Sequence, residues 1–340
     1  MFKNLITIEN LFNAWYKFRK GKTNKPDVIL FERNLEDNIF QLYKDINTKE
    51  YHHQAYQTFF IWDPKFRKIN KSIVRDRIIH HLIYKYLEEI WQPIFIYHSY
   101  SCQIGKGTHK AVNNLAKILR RVSGNNKRNI WYLKMDIKKF FASVDHRVLL
   151  KLLEKRVYNP EILWLLEEII KSYSELGQLG KGMPIGNLTS QIFANIYLNE
   201  LDYFVKQNLQ EKYYLRYADD FIFLNQNRDY LENLEKIITD FVLEKLNLEI
   251  HPQKIIFGKY FAGIDWLGYI IFPKYKILRT KTKRRMFKKI NKKIDDFNSG
   301  LIEKTKLYQT IQSYFGLLKH CNSYNLKTKL KNDIWLKTKN

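Results

Sequence analysis

The sequence predicts an α+β fold built on a mixed, largely antiparallel sheet. Three observations carry that expectation. Two short aromatic and β-branched runs, Tyr213–Tyr217 and Phe221–Leu224, are joined through Ala218, Asp219 and Asp220, the pattern of a tight β-hairpin with acids at its tip. Elsewhere, strand-like and helix-like segments follow one another without the one-for-one alternation of a doubly wound sheet. Hydrophobic residues make up 45% of the 340 and aromatics 15%, enough for a sizeable core and too much for a disordered chain. A domain commonly runs to about 100–200 residues, so two or three compact units are expected.

The elements follow in chain order. The first 22 residues are amphipathic and basic: Phe2, Leu5, Leu11, Phe12 and Trp15 are apolar, and Lys17, Arg19 and Lys20 follow. Glu9 and the low serine content argue against a transit peptide, so a docking helix is expected there. Ile130–Ile137 (IWYLKMDI) reads as a strand, and Leu149–Val157 and Ile162–Tyr173 read as helices. A Gly-rich loop, GQLGKGMPIGN, carries Pro184 and leads into a helix over Ser190–Leu201. Near the C-terminus Met286, Phe287, Ile290, Ile294 and Phe297 recur at helical spacing, with Lys288, Lys289, Lys292 and Lys293 on the other face. A second helix is expected over Leu307–Cys321.

Lys and Arg number 59 against 34 Asp and Glu, a net charge of +25 with a pI near 9.7. That excludes an ordinary neutral metabolic enzyme as the default and points to a polyanionic partner, of which nucleic acid is the commonest. An anionic membrane surface fits the charge alone. The surplus is uneven: Lys276–Asn340 holds 18 Lys and Arg against 4 Asp and Glu. The lysine face is either a solvated surface or a clamp that neutralises phosphates without reading bases. Two cysteines, Cys102 and Cys321, make neither a CxxC site nor a disulfide framework, which fits a reducing compartment. No uncharged apolar run approaches the roughly 18–20 residues of a membrane span. The cytoplasm is therefore expected, with no membrane partner.

The acids suggest chemistry. Asp136 ends an apolar strand, where an isolated carboxylate is costly to bury. Asp219 and Asp220 are adjacent, and their repulsion is relieved by a divalent cation. If the Asp136 strand lies beside the hairpin, three carboxylates converge on one sheet edge. That set suits two Mg²⁺ ions about 3.5–4 Å apart, clamping the attacking and leaving oxygens of a phosphoryl transfer. Mg²⁺ takes oxygen ligands and keeps sites for water and substrate phosphate. Asp219-Asp220 alone equally suits plain turn chemistry.

The ordered set of segments says more. Lys134-Met-Asp-Ile-Lys-Lys-Phe-Phe141, Gly182-Met-Pro-Ile-Gly-Asn-Leu-Thr-Ser-Gln191, Tyr217-Ala-Asp-Asp220, Lys254 and Trp266-Leu-Gly-Tyr269 occur in that order. Together they resemble a reverse transcriptase over nearly the whole chain, from Trp62 to Leu330. The resemblance implies a right-hand polymerase with fingers, palm and helical thumb. It implies that Asp136, Asp219 and Asp220 hold metal, assisted by the carbonyl of Ile137. Phe141 would lie under the sugar and exclude a 2′-hydroxyl, favouring dNTPs; core packing is its bland alternative. Gly186 would let the backbone approach the incoming nucleotide, with Ile185, Ser190 and Gln191 in the same loop. Lys254 would protonate the departing pyrophosphate or act as fixed charge, unless it is a surface lysine. Trp266, Leu267, Gly268 and Tyr269 resemble the hairpin that grips the primer end. Upstream, Asp63-Pro-Lys-Phe-Arg-Lys-Ile and Val74-Arg-Asp-Arg-Ile-Ile-His80 resemble the fingers hairpin. Arg67, Lys68 and Arg75 are the candidates there for triphosphate and template backbone. Arg75-Asp76-Arg77 could instead be an internal salt-bridge knot.

Two departures narrow the resemblance. Most reverse transcriptases have Gln where this chain has Ile185, and Pro where it has Gln191. IGNLTSQ, with Ser99-Tyr-Ser-Cys-Gln-Ile-Gly-Lys-Gly-Thr-His109, resembles the reverse transcriptases of diversity-generating retroelements. That resemblance implies copying of a template RNA into cDNA that is error-prone at adenines. It also implies a small basic helical accessory protein as partner. The expected division is a helical extension over 1–40, fingers over 41–127, and palm over 128–273 with a helical insertion near 147–180. A basic thumb over 274–340 completes it. The alternatives are another bacterial reverse transcriptase, group II intron-like or of phage defence, or a catalytically idle RNA-binding scaffold.

Overall fold

The structure is a computed structural model and describes residues 2–62 and 65–338. It falls into two compact units. One comprises residues 1–104, 135–221 and 234–255, and the other residues 105–134, 222–233 and 256–340.

The chain opens with four helices: α1 (Phe2–Leu5), α2 (Ile8–Arg19), α3 (Pro26–Glu32) and α4 (Leu35–Asn47). Thr7 starts α2 by accepting a hydrogen bond from the Asn10 N–H at 3.1 Å, as an N-cap does. Leu11, Ala14, Trp15 and Phe18 are buried at helical spacing and face α5 (Val74–Trp91), so the expected docking helix docks within its own unit. Between α4 and α5 lies an antiparallel hairpin, β1 (Gln57–Ile61) and β2 (Arg67–Lys71), with Ile61 opposite Arg67. Residues Asp63 and Pro64, part of the expected fingers segment, lie outside the described residues.

Next come α6 (Thr108–Val122), β3 (Trp131–Asp136), α7 (Phe140–Ser143), α8 (His146–Glu154), α9 (Pro160–Lys171) and α10 (Leu188–Tyr203). Asp145 and Asn159 cap α8 and α9, and Pro160 occupies the first turn of α9, where its missing N–H costs nothing. In α10 every residue from Ile192 to Leu198 is buried, so this helix is covered all round. A single π-helical turn, Phe204–Asn208, ends it.

The expected hairpin is β4 (Tyr214–Tyr217) and β5 (Asp220–Asn225); α11 (Arg228–Leu246) and β6 (Ile256–Lys259) follow. These strands form a four-stranded sheet in the order β4-β5-β3-β6, with β3 antiparallel to β6. The acid-ended strand therefore does lie beside the acid-tipped hairpin. A separate antiparallel sheet comprises β7 (Ile264–Trp266), β8 (Tyr269–Ile271) and β9 (Lys276–Leu278). Three helices complete the chain: α12 (Thr280–Asn298), α13 (Lys304–Leu318) and α14 (Tyr324–Lys337). Met286, Ile290 and Ile294 form the buried stripe of α12, while Phe287 and Phe297 are only half-buried. The sequence marked two helices here, not three. In α14 only Leu330 is buried, and Trp335 and Leu336 are exposed, so no apolar stripe announces it. No helix among the described residues is long and apolar enough to cross a membrane.

Candidate active site

The acids are brought together by backbone pairing. The Ile137 N–H, one residue past β3, donates to the Asp219 carbonyl at 3.2 Å. The His251 N–H donates to the Asp136 carbonyl at 2.9 Å, which fixes the segment carrying Lys254. The turn between β4 and β5 puts Ala218 at φ +52°, a left-handed conformation usually given to glycine. Asp219 follows in the turn, and Asp220 begins β5.

Asp136 is 16% exposed at its side chain and forms an ion pair with the Lys254 ammonium. Asp219 is half-buried. Burial holds its carboxyl above the usual aspartate range, and the negative charge of Asp136 adds to the effect; Lys254 and Lys65 oppose it. Asp136, Asp219 and Lys254 thus form one electrostatic group.

Among the described residues no three His, Cys, Asp or Glu side chains are gathered so as to hold a metal ion. The residues nevertheless fit a hard divalent cation. Every donor is an oxygen, two carboxylates repel one another in a partly desolvated place, and Asp136 already carries a cation in the form of Lys254.

The loop before α10 is tied to the hairpin β1–β2 and to Ser72 just beyond it. The Ile185 carbonyl accepts from the Asn70 N–H at 2.9 Å. Gly186, at φ +129°, lies so close to β2 that a Cβ would fall 2.9 Å from Ile69 Cγ2. The glycine is thus demanded by a neighbour inside the protein, whatever else approaches it. Ser190 donates to the Pro184 carbonyl at 2.7 Å and is buried, whereas Gln191 is exposed. Phe141 is half-buried, edge-on to Phe140 at 5.4 Å.

Other candidates are placed elsewhere or otherwise engaged. Arg67 and Lys68 are exposed on β2. The Arg75 guanidinium contacts Asp45 at 2.5 Å, Asp76 at 3.6 Å and the His52 carbonyl at 3.2 Å, and lies over the Tyr51 ring. Arg77 pairs with Asp27. Those contacts are the internal knot that the Arg75-Asp76-Arg77 spacing left open. In the other unit, Trp266 and Tyr269 are opposite one another across β7 and β8 and fully buried, so only the Leu267–Gly268 turn reaches the surface. Of the lysines on α12, Lys288, Lys289 and Lys292 are exposed, while Lys293 is half-buried and bonds to Asp296 at 3.1 Å.

Several residues escaped sequence reasoning. Lys65, near the tip of the hairpin, acts on Asp219 although Arg67 and Lys68 were the ones singled out. Asn187 stands where an N-cap is expected, yet its side chain turns away from α10. It accepts from Ser72 Oγ at 2.6 Å and donates to the Asn70 carbonyl at 3.2 Å. Thr189 bonds to His80 at 2.8 Å. A polar residue at each of these buried motif positions was the only available signal.

Residues 63–271 match the family described as reverse transcriptase (RNA-dependent DNA polymerase). The chain is 26% identical over 246 residues to protein YkfC of Escherichia coli (strain K12), covering 62% of this chain and 64% of that protein. It is 28% identical over 179 residues to the group II intron-encoded protein LtrA of Lactococcus lactis subsp. cremoris, covering 51% of this chain and 29% of LtrA. The chain therefore spans less than two thirds of either relative. Among solved structures, telomerase from Candida albicans in complex with a TWJ fragment of telomeric RNA aligns with a TM-score of 0.52 at 14% identity. That alignment covers 90% of this chain and 59% of the telomerase chain. At that identity the likeness concerns the fold, the right-hand polymerase arrangement expected from the motifs.

Proposed function

The chain belongs to the reverse transcriptase (RNA-dependent DNA polymerase) family, and from that premise we propose that it copies a template RNA into DNA by nucleotidyl transfer at Asp136, Asp219 and Asp220. The observation that carries the assignment is the meeting of Asp136 with the Asp219 turn and Lys254. Bound Mg²⁺, held by the three carboxylates and the Ile137 carbonyl, would supply charge to neutralise the triphosphate and to ease deprotonation of the attacking hydroxyl. The chain's own groups do the rest. Lys254, released from Asp136, stands ready to deliver a proton or a positive charge to the leaving pyrophosphate. Lys65 adds charge from the hairpin side, with Arg67 and Lys68 behind it. Phe141 fills the space beneath the sugar and selects dNTPs. The Leu267–Gly268 turn bears on the primer end, and the lysines of α12 hold the duplex backbone. In this reading residues 41–127 serve as fingers, 128–273 as palm and 274–340 as thumb.

The finer reading is the reverse transcriptase of a diversity-generating retroelement, making cDNA with errors at template adenines beside a small basic accessory protein. Ile185 and Gln191 in IGNLTSQ support it. A second reading, a group II intron-like enzyme, is favoured by the LtrA relationship.

Primer extension on a defined RNA template tests the core proposal. Mg²⁺-dependent incorporation by the natural chain and its loss in Asp219→Ala are expected; undiminished extension by Asp219→Ala would remove the assignment. Sequencing the products, with and without a candidate accessory protein, separates the finer readings. Substitutions concentrated at template adenines support the retroelement, and an even error spectrum supports the intron-like enzyme.

A further inference from the structure

We infer that the buried pair Asp202–Arg216 is a positioning device for Asp219, gripping the acid-bearing turn from beneath. The inference rests on the polymerase reading and deepens it. Arg216 lies on β4 and is fully buried, as is Asp202 on α10. The two form a fork: Arg216 Nε donates to Asp202 Oδ1 at 2.8 Å and Nη2 to Oδ2 at 2.5 Å. Tyr214 Oη adds a bond to Oδ1 at 2.8 Å. A buried ion pair is weak evidence for stability, because apolar residues of similar volume commonly replace one without loss. Something other than stability therefore has to account for this one.

The remaining nitrogen supplies the account. Arg216 Nη1 donates to the Ala218 carbonyl at 3.2 Å. That carbonyl belongs to the peptide plane whose other half is the Asp219 N–H, and the plane is rigid. Fixing it fixes the direction in which Asp219 leaves the turn. The grip is needed because Ala218 is left-handed at φ +52°, a conformation that a residue with a Cβ disfavours. From the other side, the Asp219 carbonyl is held by the Ile137 N–H. Arg216 itself cannot drift: its N–H donates to the His98 carbonyl, and its own carbonyl accepts from the Tyr100 N–H, each at 3.0 Å. Nη1 also lies 3.5 Å from Asn195 Oδ1, and Asn195 is anchored to the Ser101 carbonyl at 2.9 Å. With the guanidinium fully buried, no bulk water competes for these bonds.

The test uses two variants of the full chain. Asp202→Leu combined with Arg216→Met removes both charges and the grip together. Arg216→Lys keeps a charge for Asp202 but lacks the fork that reaches Ala218. Single-nucleotide incorporation is measured with the melting temperature, the template–primer Kd, and the half-saturating concentration in a Mn²⁺ titration followed by electron paramagnetic resonance. The expected result in the double variant is a kcat lower by roughly 10- to 100-fold, weaker Mn²⁺ binding, and dNTP KM and template–primer Kd within about twofold. Arg216→Lys is expected to fall between it and the natural chain. Leu87→Ala, at a fully buried residue of α5 that bears no polar group, serves as control for plain destabilisation. The inference is overturned if either folded variant keeps its kcat within about twofold, or if Leu87→Ala loses as much kcat for the same drop in melting temperature. Should the double variant not fold, Arg216→Lys decides alone. A natural chain without polymerase activity would instead overturn the functional reading, a result distinct from either of these.

Discussion

The turn that carries Asp219 and the three C-terminal helices handle charge by opposite means. At the turn, a few charges are half-buried and tied: the Asp219 carbonyl is bonded to Ile137, and Asp136 is paired with Lys254. On α12, Lys288, Lys289 and Lys292 are exposed. Reaction chemistry needs atoms held in place, so the sequence there has little latitude. Backbone binding, the role proposed for the α12 lysines, needs many charges near phosphates and little precision in their placement. The contrast teaches where mutations should act: through kcat at the turn, and through affinity and its salt dependence on the helices.

Asp219→Asn is the largest test of that contrast. It keeps the shape and removes the charge, so incorporation should fall by about 10³-fold or more. In the metal-free protein it should also melt higher than the natural chain, because the raised carboxyl of Asp219 marks a charge that the fold disfavours. The sign runs with pH. Below the ordinary aspartate value of about 4 the group is protonated whether folded or not, and behaves much as the amide. As pH rises through the raised native value, the natural chain loses stability relative to the variant. Melting curves from pH 4 to pH 8 should therefore show a gap that opens with pH. A gap that closes instead would mean Asp219 is not the strained charge described.

Lys254→Met probes the same group from the cation side. Loss of proton or charge delivery should lower kcat by about 10²-fold. With Asp136 relieved of its ammonium partner, half-maximal activity should need less Mg²⁺, since the two cations compete for one carboxylate. A higher Mg²⁺ requirement would show that Lys254 does not oppose the ion.

The helices should respond differently. Replacing Lys288, Lys289, Lys292 and Lys293 with Gln should weaken template–primer binding about tenfold at moderate salt and flatten its salt dependence. Each lost phosphate contact lowers the slope by roughly 0.7–0.9, so the four together are expected to lower it by at most about 3.6. Incorporation by the bound complex should be nearly unchanged. A large fall in kcat with intact affinity would erase the distinction between the two regions.

Much of this was legible in the chain. β3, β4 and β5 were readable because apolar and β-branched runs declare strands, and α10 because an apolar run of its length needs a helix. The meeting of Asp136 with Asp219 has no local signal; only the order of the motifs implied it. Arg216 looked like one more basic residue in a basic chain, since sequence does not tell which guanidinium is buried. Lys65 carries no signal in the sequence, because its effect on Asp219 depends on how the β1–β2 hairpin is placed. α14 was silent because it buries almost nothing.

The smallest effect concerns Ile185, where the turn's economy of contacts meets specificity. Its carbonyl is committed to Asn70, so the backbone is fixed and only the side chain is free to vary. Glutamine in its place adds a donor and an acceptor that could hold template and nucleotide in register, and isoleucine offers neither. Ile185→Gln should therefore lower misincorporation opposite adenine by a few-fold, an effect of about 1 kcal/mol. Melting temperature and kcat for correct pairs should hardly move, because the side chain is only half-buried. Deep sequencing of cDNA from one adenine-rich RNA, copied by both proteins, reads the difference directly. If the spectra coincide, Ile185 is a packing residue and has no part in fidelity.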